Sequence, residues 1–116
     1  MKTPAAIQVE NLNDALRALA RSASATQPVH LMFSWASLRS AGIGYAMAIV
    51  AKARATYPQI ACLSVLDAGE DAGLALSALK SGADRVRFSG APQLAQKLSQ
   101  IARQMGVGLE VLPTTL

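Results

Sequence analysis

Apolar positions along the chain alternate between two periods. Short apolar runs at residues 7–9, 29–33, 60–66, 85–88 and 109–112 have the length and composition of strands. Between them the spacing changes to that of helices. Leu12, Ala15, Leu16, Leu19, Ala20 and Ala23 recur at i, i+3, i+4, i+7, i+8 and i+11 and make one stripe, with Arg17 and Arg21 outside it. Asn11 is a good N-cap for that helix, and Asp14 three residues on suits its positive end. A second helix begins near Gly42 and stops before Pro58. A third covers residues 72–81 and is closed by Gly82. A fourth opens at Pro92, a residue suited to the first helical position, and carries Leu94, Leu98, Ile101, Ala102 and Met105. Residues 34–40, with three serines, read as a long loop.

The order is strand then helix, four times over, with a closing strand. Strands joined by helices of this length pair in parallel through right-handed crossovers. The expectation is one α/β domain over residues 1–116. It is a flavodoxin-like three-layer α/β/α sandwich with a mostly parallel sheet of four or five strands. The strands at 29–33 and 60–66 are expected to be internal, because continuous apolar runs suit strands covered on both faces. Strand order is not legible.

Composition narrows the class further. The chain is 52% apolar and 16% charged, which is too apolar for a disordered segment. No apolar run reaches the roughly 18 residues needed to span a bilayer. The N-terminus lacks the apolar core of a secretory signal, so no membrane association and a cytoplasmic location are expected. A net charge of +4 is mild, and the 11 Lys and Arg are scattered, without interleaved aromatics, so nucleic acid is not an expected partner. Cys62, the one cysteine, lies in an apolar strand and reads as a packed small hydrophobe. His30, the one histidine, also lies in a strand and has no acidic or thiol partner assigned beside it.

In open parallel sheets ligands bind beyond the carboxyl ends of the strands. That rule selects three loops: residues 34–40, 67–71 and 89–90. Ser34, Ser37, Arg39, Ser40, Gly42, Asp67, Ser89 and Gly90 are the candidate ligand residues, with a small anion as the ligand type. The first loop leads into Gly42-Ile43-Gly44 at a helix start, where bare N–H groups can hold a phosphate. Met47 stands where a dinucleotide motif needs its third glycine, and no phosphate-loop Gly-Lys-Ser/Thr occurs. Asp67, Glu70 and Asp71 are oxygen donors of the kind Mg²⁺ takes. Asp71 is more simply a helix N-cap, and Glu70 is favourable beside it, so no metal and no cofactor are assigned. No nucleophile–base set emerges. Arg85 and Arg87 alternate with Val86 and Phe88, so one face of that strand is wet or meets a partner; a wet strand near the sheet edge is the simpler expectation.

The helix from Gly42 onward is too apolar for one stripe. Ala46, Ile49, Val50 and Ala53 make an inner face, and Ile43, Tyr45, Met47 and Ala51 fall partly or wholly outside it. Those four are the candidate interface of a homodimer. The rival is that residues 34–40, with Trp35 and Leu38, fold back over them.

Residues 60–90 carry a resemblance. The strand Cys62-Leu63-Ser64-Val65-Leu66-Asp67-Ala68 is followed by Ala75-Leu76-Ser77-Ala78-Leu79-Lys80-Ser81-Gly82-Ala83-Asp84 and then by the strand from Arg85 to Ser89. This stretch resembles the latter half of a response-regulator receiver domain, although the segment 78–84 also occurs in phosphate-binding barrels. The resemblance implies a receiver-like scaffold without its switch. Ser34 stands where a receiver has its phospho-accepting aspartate, Asp67 where it has Ser or Thr, and Ser89 where it has lysine. One β-α unit is missing before the match, and a strand is added after it. The functional expectation is therefore a non-enzymatic interaction or regulatory module. The alternative is binding of, or catalysis on, a small phosphate-bearing ligand at the strand ends.

Overall fold

A computed structural model describes residues 6–24 and 26–113. The elements are β1 (Ile7–Gln8), α1 (Leu12–Arg21), β2 (Val29–Phe33), α2 (Trp35–Ala41), α3 (Ile43–Thr56), β3 (Cys62–Asp67), α4 (Ala72–Leu79), β4 (Arg85–Phe88), α5 (Pro92–Met105) and β5 (Gly108–Val111). The protein is α/β, and the described residues form five helices and a five-stranded sheet whose neighbouring pairs are all parallel. At that level it agrees with the flavodoxin-like expectation.

Local chemistry explains most of the boundaries. Asn11 Oδ1 accepts the Asp14 N–H at 2.8 Å, satisfying an orphan donor at the start of α1, and Asp14 Oδ2 accepts the N–H of Glu10, the residue before the cap, at 3.0 Å. Asp71 Oδ1 caps α4 through the Leu74 N–H. Pro92 opens α5, and Gly106, at φ +72°, ends it.

Trp35–Ala41 are helical, contrary to the loop expected over residues 34–40. Ser34 is the N-cap of α2, its Oγ accepting the Ser37 N–H at 3.2 Å. Leu38 is buried in the core, and the Arg39 guanidinium lies 5.3 Å from the centre of the Trp35 ring one turn back. Serine-rich composition pointed to a loop because Ser competes for backbone hydrogen bonds, but one of these serines is the cap itself. Gly42, at φ +93°, then redirects the chain from α2 into α3, a conformation that L side chains resist.

Strand order decides how the layers fill. It runs β1-β2-β3-β4-β5, in sequence order. When each strand pairs with the next through a right-handed crossover, every connection passes over the same face. The core agrees. Val29, Leu31 and Phe33 of β2, Cys62 and Leu66 of β3, and Val86 and Phe88 of β4 all point to one side. They form a single cluster with buried residues of all five helices. Helices thus cover one face of the sheet. The other face is covered among the described residues only by the sheet's own side chains. Both expected internal strands are internal, with β3 at the centre. Arg85 and Arg87 do lie on a wet face, but β4 is not an edge, since β5 pairs beyond it.

Candidate functional site

Two regions deserve the name of site: the loops at the carboxyl ends of the strands, and the uncovered face of the sheet.

At the strand ends the loops are tied to one another. Asp67 Oδ1 accepts the Gly69 N–H at 2.9 Å, closing a turn on its own backbone. The Gly69 carbonyl accepts the Ser89 N–H at 2.8 Å, joining the loop after β3 to the loop after β4. Trp35 lies against Gly69, where an added Cβ would sit 3.3 Å from the indole Cδ1. Arg39 reaches Asp71 at 3.5 Å. These contacts bring Ser34, Asp67, Ser89 and Gly90 to one edge of the sheet, as expected. They also occupy the polar groups: Ser34 and Asp71 cap helices, Asp67 holds its turn, and Arg39 is shared between Trp35 and Asp71. Ser37 is half-buried with its N–H on Ser34, and Ser40 is exposed on α2. Gly42 does not join the group, because the seven residues of α2 carry it ~10 Å along the helix from Ser34. Among the described residues, no three His, Cys, Asp or Glu side chains converge as metal ligands.

The α3 candidates divide. Ile43 and Met47 are half-buried and packed against the core, whereas Tyr45 and Ala51 are exposed. The apolar surplus of α3 has a covering in the chain itself, since α1 and α2 both pack against it.

The uncovered face was legible as separate hints but not as a site. Register places Gln8, Met32, Val65 and Arg85 in one row across β1 to β4, with Gly108 beside Arg85 in β5. His30 and Leu63 lie one step toward the strand starts, and Asp67, Arg87 and Glu110 one step toward the strand ends. Val65 is only 2% exposed although it lies outside the helix-side core, so its neighbours on the sheet cover it. Arg87 lies across those neighbours: its Nε donates to Glu110 at 3.0 Å and its Nη1 lies 3.0 Å from Met32 Sδ. The sequence signal was the two-residue period of Arg85-Val86-Arg87-Phe88, repeated in Gly108-Leu109-Glu110-Val111. Leu63 and Glu110 were missed because the period shows in single strands, His30 with Met32 and Arg85 with Arg87, and only the register brings those faces together.

His30 belongs to this face and is 7% exposed. Burial, then the charges of Arg85 and Arg87, lower its pKa from the ordinary 6.5. The unfolded chain therefore takes up a proton that the folded one refuses. Stability is complete above about pH 6.5 and declines as the pH falls below it. Denaturant titrations between pH ~7.5 and ~5.5 are expected to show this decline in the wild type and a shallower one in His30→Gln. Equal slopes would mean that His30 is not held uncharged. Cys62 is buried on the helix side, and burial pushes its thiol up, away from the thiolate a nucleophile needs.

No helix among the described residues is long and apolar enough to cross a membrane. No family model matches the chain, and no curated protein matches it in sequence.

Proposed function

We propose that this protein is a non-enzymatic interaction module, built on a receiver-like scaffold, that works through the uncovered face of its sheet. One observation carries the reading. All-parallel sheets are almost always covered on both faces, by helices or by the closure of a barrel, and here, among the described residues, the helices cover only one. The second face is a mixed surface suited to recognition, with the half-buried Met32 and Leu63 between the charged ends of Arg85, Arg87, Asp67 and Glu110. A lone unpaired Cys62 suits a reducing compartment, so a cytoplasmic location belongs to the same reading.

The competing reading places a small phosphate-bearing ligand at the strand ends. The internal commitments of Ser34, Arg39, Asp67 and Asp71 weigh against it. A thermal-shift screen with phosphorylated metabolites and nucleotides tests the choice. A ligand at 100 times its Kd would add about 2.7 kcal/mol to stability. The expected result is no saturable stabilisation. Stabilisation that saturates, and that is lost in Arg39→Ala, would overturn the module reading in favour of a ligand site.

A further inference from the structure

We infer that the occupant of the uncovered face is a second copy of this chain, joined by pairing of β5 with the partner's β1 so that two half-open sheets close on each other. The inference rests on the module reading above and adds the identity of the partner.

The first support is the state of the two sheet edges. Gly108 and Leu112 donate their N–H groups to Asp84 and Phe88 on the β4 side. By strand alternation, Leu109 and Val111 turn theirs to the free edge. At the opposite edge Val9 donates to Met32, so Gln8 presents its N–H and carbonyl outward. A parallel ladder needs one residue with both groups outward, set opposite a residue whose two neighbours point back. Gln8 opposite the partner's Glu110 meets that requirement: the Gln8 N–H faces the partner's Leu109 carbonyl, and the Gln8 carbonyl faces the partner's Val111 N–H.

Side chains agree with that register. Ile7 and Val111, 38% and 47% exposed, both lie on the helix side of their edge strands, where no further helix among the described residues covers them. The pairing brings Leu109 and Val111 beside the partner's Ile7 and Val9 on that side, and Glu110 beside the partner's Gln8 on the inner side. Each free edge also carries a groove. One of about 470 Å³ runs between α5 and β5, lined by Ala95, Ser99, Val111 and Leu112; the other, about 280 Å³, lies between β1 and α1.

Charge is the second support. With His30 uncharged, the open face brings two guanidiniums, Arg85 and Arg87, and two carboxylates, Asp67 and Glu110. A face balanced in this way can be enclosed against a copy of itself without leaving a net buried charge. An edge-to-edge contact repeated twice about a two-fold axis closes, and so leaves neither edge free.

Light scattering on size-separated protein tests the inference in four chains. Wild type is expected at about twice the 12.1 kDa chain mass. Leu63→Lys puts a charge on the enclosed face. Val111→Pro removes an edge donor that no strand among the described residues uses, at an exposed edge position where proline is tolerated. Both are expected at the single-chain mass, with circular dichroism confirming the fold; should Leu63→Lys fail to fold, Val111→Pro alone decides. Tyr45→Glu, on the outer surface of α3, is expected to remain dimeric. A monomeric wild type overturns the inference. So does a dimer broken by Tyr45→Glu but kept by Val111→Pro, which would move the contact to α3. Both outcomes are distinct from failure of the module reading, which requires saturable ligand stabilisation in the thermal-shift screen.

Discussion

Asp84→Ala is expected to lower stability by about 2–3 kcal/mol, roughly 8–12 °C in Tm for a chain of this length. One carboxylate oxygen carries the load. Asp84 Oδ2 accepts the Ser64 N–H at 2.8 Å, the Ser64 hydroxyl at 3.0 Å and the Arg54 guanidinium at 2.8 Å. In return Ser64 Oγ accepts the Asp84 N–H at 3.0 Å, and Arg54 also donates to the Cys62 carbonyl. The clamp ties the end of α3 to the starts of β3 and β4. Ser64 is fully buried on the helix side, so removing the carboxylate strands an N–H with no water to replace it. Arg54 is partly exposed and recovers its hydration, so its share of the loss is small. Asp84→Asn keeps an acceptor and is expected to lose about half as much.

The clamp also sets an acid limit. Burial pushes the Asp84 carboxyl up, but the hydrogen bonds from Ser64 and the charge of Arg54 outweigh burial and hold it below the ordinary 3.8. A carboxyl lowered by folding contributes fully above its unfolded pKa and loses that contribution as the pH falls through the folded value. The wild type should therefore lose stability below about pH 4 more steeply than Asp84→Asn does. Urea titrations of the three chains check both statements, and an Asp84→Ala midpoint matching the wild type would refute them.

Asp84 shows how a motif can be legible while its role is not. The segment Ala78-Leu79-Lys80-Ser81-Gly82-Ala83-Asp84 carries the receiver resemblance, which directs attention to the carboxyl ends of the strands. Its aspartate works at the opposite end, in a bond set that any β-α-β unit with a serine in the preceding strand could use. The β-α alternation was legible because it is local: period and capping residues decide it within a few positions. Strand order was not, because Leu31 beside Ser64 or Leu66 beside Val86 is a long-range choice with no local signature. The apolar runs of β2 and β3 suggested cover on both faces. The second face in fact mixes Met32, Leu63 and Val65 with His30 and Asp67; Val65 is buried among its neighbours, and Arg87 reaches across from β4 to Met32. The α3 surplus has part of its account in the chain itself: a helix flanked by α1 and α2 needs a wider apolar surface than one packed on the sheet alone, while Tyr45 and Ala51 stay exposed.

Gly90→Ala is expected to cost about 2–3 kcal/mol, more than a surface loop substitution ordinarily does. The strand-end loops leave no room there. A Cβ on Gly90 would overlap Phe88 Cζ, and would sit 2.9 Å from Cε1 and 3.1 Å from the Glu70 carbonyl oxygen. Relief requires one of two movements. Phe88 is fully buried in the helix-side core, so rotating its ring away displaces close-packed neighbours. Moving Glu70 pulls on the loop that Gly69 shares with Ser89 through a 2.8 Å hydrogen bond. Either way the strain passes into the core beneath α4 and α5 or into the link between the two loops. Gly44→Ala is the matched comparison. It lies in the first turn of α3 with open space around its added Cβ, so the gain in helix propensity should raise stability by about 0.5 kcal/mol. Chemical denaturation of the two variants beside the wild type is expected to give changes of opposite sign. A Gly90→Ala protein as stable as the wild type would mean that the loop after β4 yields without disturbing Phe88, and the tight bracing of the strand ends would then have to be abandoned.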